Sequence, residues 1–344
     1  MARKLPDYRR ADESNYFEYC LEYGNVNSSS PKPAILLIGG AEGGTAGEDA
    51  ATHWFLKQSN YGDYLVLRCG RSGGQARWIA DNYGDLINSA AELSINSREA
   101  ANNPEVVQYI KDADALFLAG GDQNEYEDYW EGTATESAIN YLINHKKIPV
   151  AGTSAGMAIL GDYYYAPSQQ GLLSSEILND PFHENTQDIF CSNFLQVPFL
   201  KNVITDTHLD RLNDSHPETR YGRIFGLMAR IMLDNHQPVY GIGLDEGAFV
   251  AIDEKGMARV FGNGSERGQD AYFLQTNSAA PEQIKPGAPL IWDNHGQAVK
   301  VYRIQGTPEG SGLFDLNNWL IASGGTWEYW FTTGGYSGFQ QERM

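Results

Sequence analysis

The stretch VAGTSAGMAIL (150–160) decides how this chain is read. A β-branched, apolar run enters Gly152-Thr153-Ser154-Ala155-Gly156, and helix formers follow at once. This is G-x-S-x-G in a strand–turn–helix context. A serine there sits on a sharp turn where only small flanking residues avoid clashes, and its hydroxyl projects at the carboxyl end of the sheet. The start of the following helix presents free N–H groups to a developing oxyanion. Ser154 is therefore the candidate nucleophile. The bland alternative is a Gly-rich strand-to-helix turn.

Outward from the elbow the same grammar repeats. AILLIGG (34–40) is an apolar run ending in glycines, as a buried parallel strand does, and it follows the turn-rich linker NSSSPKP (27–33). YLVLRC (64–69), DALFLAGGDQ (114–123) and IPVAGTS (148–154) read as further strands. Helices are expected near 48–58, over 102–113 and, as one long element, over 125–145. This alternation predicts an α/β fold with a doubly wound, mostly parallel sheet. Residues 161–200 read as loop-rich, 202–208 as a strand, 220–233 as a helix, and 239–262 as a strand, a break and a hairpin. The expected organisation is an N-terminal extension (1–33), a catalytic α/β domain (34–265) and a β-rich C-terminal extension (266–344) packed on the same domain.

Bulk properties narrow the function. The 344 residues, 42% of them hydrophobic, suffice for a full core. A net charge of −19 argues against nucleic acid or an anionic membrane as partner and suits a neutral or cationic substrate. Cys20, Cys69 and Cys191 are odd in number and far apart, against a disulfide framework or a zinc site. No apolar run is long enough for a membrane helix, and MARKLPDYRRADESNYF lacks the apolar core of a signal peptide. The expected compartment is the cytoplasm, with secretion after trimming of a leader as the alternative.

A serine hydroxyl needs a base. Of seven histidines, His208 ends the strand NVITDTH and so reaches the sheet edge that carries the elbow; the others read as helix-surface or loop residues. The imidazole in turn needs an orienting group. Asp245 and Glu246 follow a strand, and their alternation lets only one face the site. Asp206, two residues before His208, is a rival. The order Ser…His…acid differs from that of the α/β-hydrolases. Gly120-Gly121 ends another strand, so the Gly121 and Ala155 N–H groups form a candidate oxyanion hole. GGAEGG (39–44) lacks the Lys-Ser/Thr of a P-loop and the GxGxxG spacing, which argues against nucleotide binding.

Four ordered motifs, IGGAEGG (38–44), FLAGGDQ (117–123), GTSAGM (152–157) and DTH…RYGR (206–223) followed by GIGLDEGAF (241–249), resemble those of the cyanophycinase family, serine peptidases grouped with aspartyl dipeptidase in peptidase family S51. The resemblance implies a fold related to class I glutamine amidotransferases and a triad of Ser154, His208 and Glu246. It implies oxyanion donors at Gly121 and Ala155, and substrate contacts from Gln123, Asp206, Arg220 and Arg223. No metal or cofactor is implied, and a homodimer is. The implied activity is exopeptidase release of β-Asp-Arg dipeptides from cyanophycin, a poly-aspartate with arginine on each side chain, through an acyl-enzyme. Other aspartyl or isoaspartyl dipeptides are the alternative substrates, and a non-catalytic binding protein of the same fold is the third reading. The chain departs from the pattern at Thr207, where the family usually has Gln, and in LNDSHPET (212–219), an insertion that makes Arg211 a further candidate for a substrate arginine. The extension past about 265 is also longer than in a minimal member. The arginines make physical sense, because a planar guanidinium grips a carboxylate through two parallel hydrogen bonds.

Overall fold

Apolar runs that stop at glycine set the frame. The computed structural model describes residues 16–22, 30–40, 43–70, 73–187, 189–191, 194–213, 217–264, 268–277 and 279–344. The first half alternates strands β1 (Tyr16–Glu22), β2 (Ala34–Ile38), β3 (Asp63–Arg68), β4 (Ser89–Ser94), β5 (Ala115–Leu118) and β6 (Pro149–Thr153) with helices α1 (Ala46–Ser59), α2 (Gln75–Tyr83), α3 (Arg98–Ala101), α4 (Pro104–Asp112), α5 (Gln123–Trp130) and α6 (Ala134–Tyr141). Next come α7 (Ala155–Ala158), β7 (Tyr163–Tyr165), α8 (Ser174–Asn179), β8 (Ile189–Cys191), β9 (Val203–Asp206), α9 (Tyr221–Asn235) and β10 (Tyr240–Leu244). The chain ends in β11 (Phe249–Ile252), β12 (Met257–Phe261), β13 (Asp270–Thr276), β14 (Val299–Gln305), β15 (Ser311–Asp315), β16 (Ala322–Ser323), β17 (Thr326–Thr332) and β18 (Phe339–Arg343).

The expected α/β fold is present, but its strands divide between two sheets. In the first, β4, β3, β5, β6 and β2 lie side by side and parallel, with β1 added antiparallel at one edge and β11, β12, β15 and β16 antiparallel at the other. In the second, β7, β9 and β10 are parallel, and β13, β14, β17 and β18 continue antiparallel from β10. Residues after 266 therefore supply strands to both sheets, and aromatic rings fill the space between them. Phe273 of the second sheet stacks on Phe314 of the first, with ring centroids 4.2 Å apart.

Local chemistry sets the helix ends. The Thr45 hydroxyl caps α1 by accepting from the Glu48 amide, and Asn103 caps α4 ahead of Pro104 at its first position. Helix α9 buries most of its faces, and Gly222 and Gly226 let it press on α8, where added methyl groups would lie 2.8 Å from Leu178 and Ile177.

Four expectations are corrected. The long helix over 125–145 breaks at Gly132, whose φ of 69° ends α5 before Thr133 starts α6. The polar, Asn-rich stretch after YLVLRC reads as helical in sequence but contains β4, hidden because SAAELS is poor in β-branched residues and carries Glu92, which is buried against Arg68 at 2.6 Å. The loop-rich reading of 161–200 misses β7, α8 and β8. Finally, the strand expected to reach His208 stops at Asp206. No helix among the described residues is long and apolar enough to cross a membrane.

Candidate active site

The site lies where the carboxyl ends of β2, β5 and β6 meet those of β9 and β10. Two backbone hydrogen bonds tie the two sheets' ends together there, His208 N–H to Gly39 O (3.0 Å) and Gly247 N–H to Gly40 O (2.6 Å), while Ser154 N–H to Ile38 O (3.1 Å) continues the β2–β6 pairing within the first sheet.

Ser154 stands at the elbow with φ 50° and ψ −119°, in the strained turn expected for a projecting serine. The flanking glycines are required by contact. A methyl group on Gly152 would lie 2.3 Å from Gly156 O, and one on Gly156 would lie 2.2 Å from Leu118 O. The Ser154 Oγ is 2.8 Å from His208 Nε2, and His208 Nδ1 is 2.5 Å from Glu246 Oε1. With Nδ1–H donating to the carboxylate, Nε2 is left to accept the serine proton. His208 reaches this place with φ 54°, through a turn beyond the strand rather than along it.

The acids left open by the sequence have different partners in the structure. Glu246 faces the imidazole. Asp245 points the other way, is buried, and accepts from the Tyr221 hydroxyl at 2.9 Å. Burial, with Asp210 and Asp270 adding repulsion, raises its pKa well above the usual carboxylate range. Asp206 forms a buried two-point pair with Arg223, whose Nε donates at 3.0 Å. These two expected substrate contacts are thus occupied by each other.

Arg220 is different. Its Nη1 donates to Thr207 O at 3.1 Å, and it has no ion pair among the described residues. Burial, followed by the neighbouring Arg223 charge, pulls its pKa down to about 9, so it remains a cation at neutral pH. Thr207 itself is buried and offers only its carbonyl to Arg220. Arg211 lies 3.5 Å from Glu246 Oε1, beside the triad-like chain. Gln123 begins α5, capped by Asp122. The preceding glycines let the backbone close on the serine: a methyl group on Gly120 would sit 3.4 Å from Ser154 Cβ. Neither the Gly121 nor the Ala155 amide donates a hydrogen bond among the described residues.

Burial lowers the His208 pKa below its ordinary value; the Glu246 hydrogen bond opposes this, and the Arg220 and Arg211 charges reinforce it. Among the described residues no group of His, Cys, Asp and Glu is arranged to hold a metal ion.

Sequence reasoning missed the second purpose of the early glycines. A methyl group on Gly39 would lie 2.1 Å from Asp245 O, and one on Gly40 would lie 2.3 Å from His208 Cε1. Ala41 and Glu42 of the same motif lie outside the described residues. Also missed was Asp210, whose Oδ1 accepts from the Glu246 amide at 2.9 Å. The adjacent carboxylates in LDEG were the available signal that one would serve the site and one the scaffold.

The sequence profile of peptidase family S51 matches residues 35–260, a span that includes all three members of this chain of hydrogen bonds. The protein belongs to peptidase family S51. It is similar to a cyanophycinase of Nostoc sp., 26% identical over 240 residues that cover 68% of this chain and 72% of that protein. A cyanophycinase of Geminocystis herdmanii is 22% identical over 273 residues, covering 78% and 86%. The crystal structure of a peptidase from an acI-B1 Actinobacterium aligns with 80% of this chain and 95% of that one, at 18% identity and a TM-score of 0.48. Membership in the family makes this S51 protein a peptidase.

Proposed function

We propose that this S51 peptidase is a serine exopeptidase that hydrolyses cyanophycin to β-Asp-Arg dipeptides through an acyl-enzyme. The observation that carries the chemistry is the unbroken Ser154–His208–Glu246 chain of contacts at 2.8 and 2.5 Å, beside two amides, of Gly121 and Ala155, that donate no hydrogen bond among the described residues. Ser154 Oγ attacks the scissile carbonyl while His208 Nε2 takes its proton. The Gly121 and Ala155 amides hold the oxyanion, a contribution of about 10²–10³ in rate per donor. Protonated His208 then gives its proton to the leaving amine, and water, deprotonated by the same imidazole, hydrolyses the ester. Glu246 fixes the imidazole tautomer and stabilises the imidazolium. Arg220, a guanidinium without an ion pair among the described residues, grips a substrate carboxylate, and Gln123 at the start of α5 is the second substrate contact. Asp206 and Arg223 hold the floor rigid. The substrate follows from the cyanophycinases to which the chain is similar.

A second reading, hydrolysis of other aspartyl or isoaspartyl dipeptides by the same relay, is favoured by Thr207. Its side chain is buried and short, so the position before the histidine offers substrate nothing beyond a carbonyl already given to Arg220. Mass spectrometry of cyanophycin incubated with the wild type and with Ser154→Ala decides between them. Asp-Arg dipeptide from the wild type alone supports the first reading. No release from either protein, with cleavage of a short β-aspartyl dipeptide by the wild type, supports the second.

A further inference from the structure

We propose that Arg211 is a positioning residue that sets the basicity of the catalytic histidine through Glu246, rather than a residue that grips substrate. The inference rests on the Ser154–His208–Glu246 reading above.

The turn that follows β9 wraps Glu246 from three sides. The Arg211 amide donates to His208 O at 3.2 Å, which closes the turn over residues 208–211. Inside it, Asp210 Oδ1 takes the Glu246 amide at 2.9 Å. Arg211 Nε then lies 3.5 Å from Glu246 Oε1, the same oxygen that His208 Nδ1 contacts at 2.5 Å. A cation beside that oxygen draws carboxylate charge away from the imidazole and repels its protonated form. The residue therefore favours neutral His208, the form that accepts the serine proton. Its own charge is already engaged by Glu246, whereas Arg220 has no ion pair among the described residues and is left for a substrate carboxylate.

The charged groups around this centre come from several elements. Arg211 and Asp210 lie on the turn itself, Glu246 on the β10–β11 link, and Arg220 at the start of α9. The Asp206–Arg223 pair joins the end of β9 to α9. Arg220 and Arg211 both oppose protonation of His208, Glu246 supports it, and burial is the largest influence, lowering the pKa. The wild-type enzyme therefore keeps its base neutral below the ordinary histidine range of about 6.5.

The test reads the base without needing the substrate. The rate of covalent labelling of Ser154 by a fluorophosphonate is measured against pH for the wild type, Arg211→Ala and Arg211→Lys, with Ser154→Ala as blank. Loss of the cation in Arg211→Ala is expected to move the acid limb upward by about half to one pH unit, a three- to tenfold slower reaction below both limbs, the size being limited by the exposure of the guanidinium. Arg211→Lys, which keeps the charge, is expected to restore most of the shift. High salt is expected to weaken the difference between wild type and Arg211→Ala. An acid limb that stays at its wild-type position in Arg211→Ala overturns the proposal, and a more than tenfold rise in KM for cyanophycin, read by dipeptide release, with an unmoved limb assigns Arg211 to substrate instead. Labelling that persists in Ser154→Ala would sink the triad reading itself, which separates the two failures.

Discussion

At the scale of single residues, this site depends on absent side chains as much as on present ones. The imidazole of His208 occupies the space that any β-carbon on Gly40 would need, 2.3 Å from Cε1, and Gly40 also adopts φ 121°. The obstructing atoms belong to a side chain that can rotate, whereas Gly156 is hemmed in by the carbonyls of Leu118 and Ala119. The two glycines should therefore fail differently. Gly40→Ala is expected to displace the imidazole and lower kcat by about 10² or more while losing only about 1–2 kcal/mol of stability to backbone strain. Peptidase assay together with a urea unfolding curve checks this; a variant that unfolds but keeps its turnover per folded molecule contradicts it. The GxSxG elbow was legible from sequence because its glycines are local to the turn. The need for Gly40 was not, because the group it makes room for arrives 168 residues later, and chain distance hides such contacts.

At the scale of elements, the decisive object is the link between β10 and β11, where the chain passes from the second sheet to the first. Asp245 and Glu246 divide the labour there. Glu246 turns to His208, and Asp245 locks the link to β13 by exchanging backbone and side-chain contacts with Asp270: its amide donates to Asp270 O at 3.0 Å, and Asp270 N–H donates to its Oδ2 at 3.2 Å. Asp270 is buried, and Arg303 on β14 donates to it from Nε and Nη2. Sequence alternation says that only one of Asp245 and Glu246 faces the His208 side, but the scaffold that selects which one comes from strands whose pairing no local pattern announces. Arg303→Met leaves a buried carboxylate without its cation. The expected loss is about 2–3 kcal/mol, below that for a fully enclosed pair because the guanidinium is partly exposed. Adding Asp270→Asn removes the uncompensated charge and should return about 1 kcal/mol or more. Urea midpoints of the single and double variants measure this, and equal midpoints would show that the pair does not hold the link.

At the scale of the whole molecule, the α/β half was readable because buried parallel strands are apolar and end in glycine, while the β-rich half was readable only as strands without an address. Its partners are set by long-range pairing: β13 completes the second sheet beside β10 over five residue pairs, and β15 extends the first beside β12. Phe314 of β15 then stacks between Phe273 and Tyr302, closing the space between the sheets. The residues after 266 are thus joined to the site by two routes, the edge of β10 and the Asp245–Asp270 exchange. Truncation after residue 265 strips β10 of a neighbour, uncovers an apolar face that includes Leu244 and Ile242, and takes both Asp270 backbone contacts from Asp245, leaving it the Tyr221 hydroxyl. Such a chain is expected to aggregate on size-exclusion chromatography and to show no fluorophosphonate labelling of Ser154. A monodisperse truncated chain that labels at the full-length rate would mean that the α/β half shapes the Glu246 link alone. The contacts of Asp245 argue otherwise, since the backbone group that fixes it, and with it the direction of Glu246, belongs to Asp270.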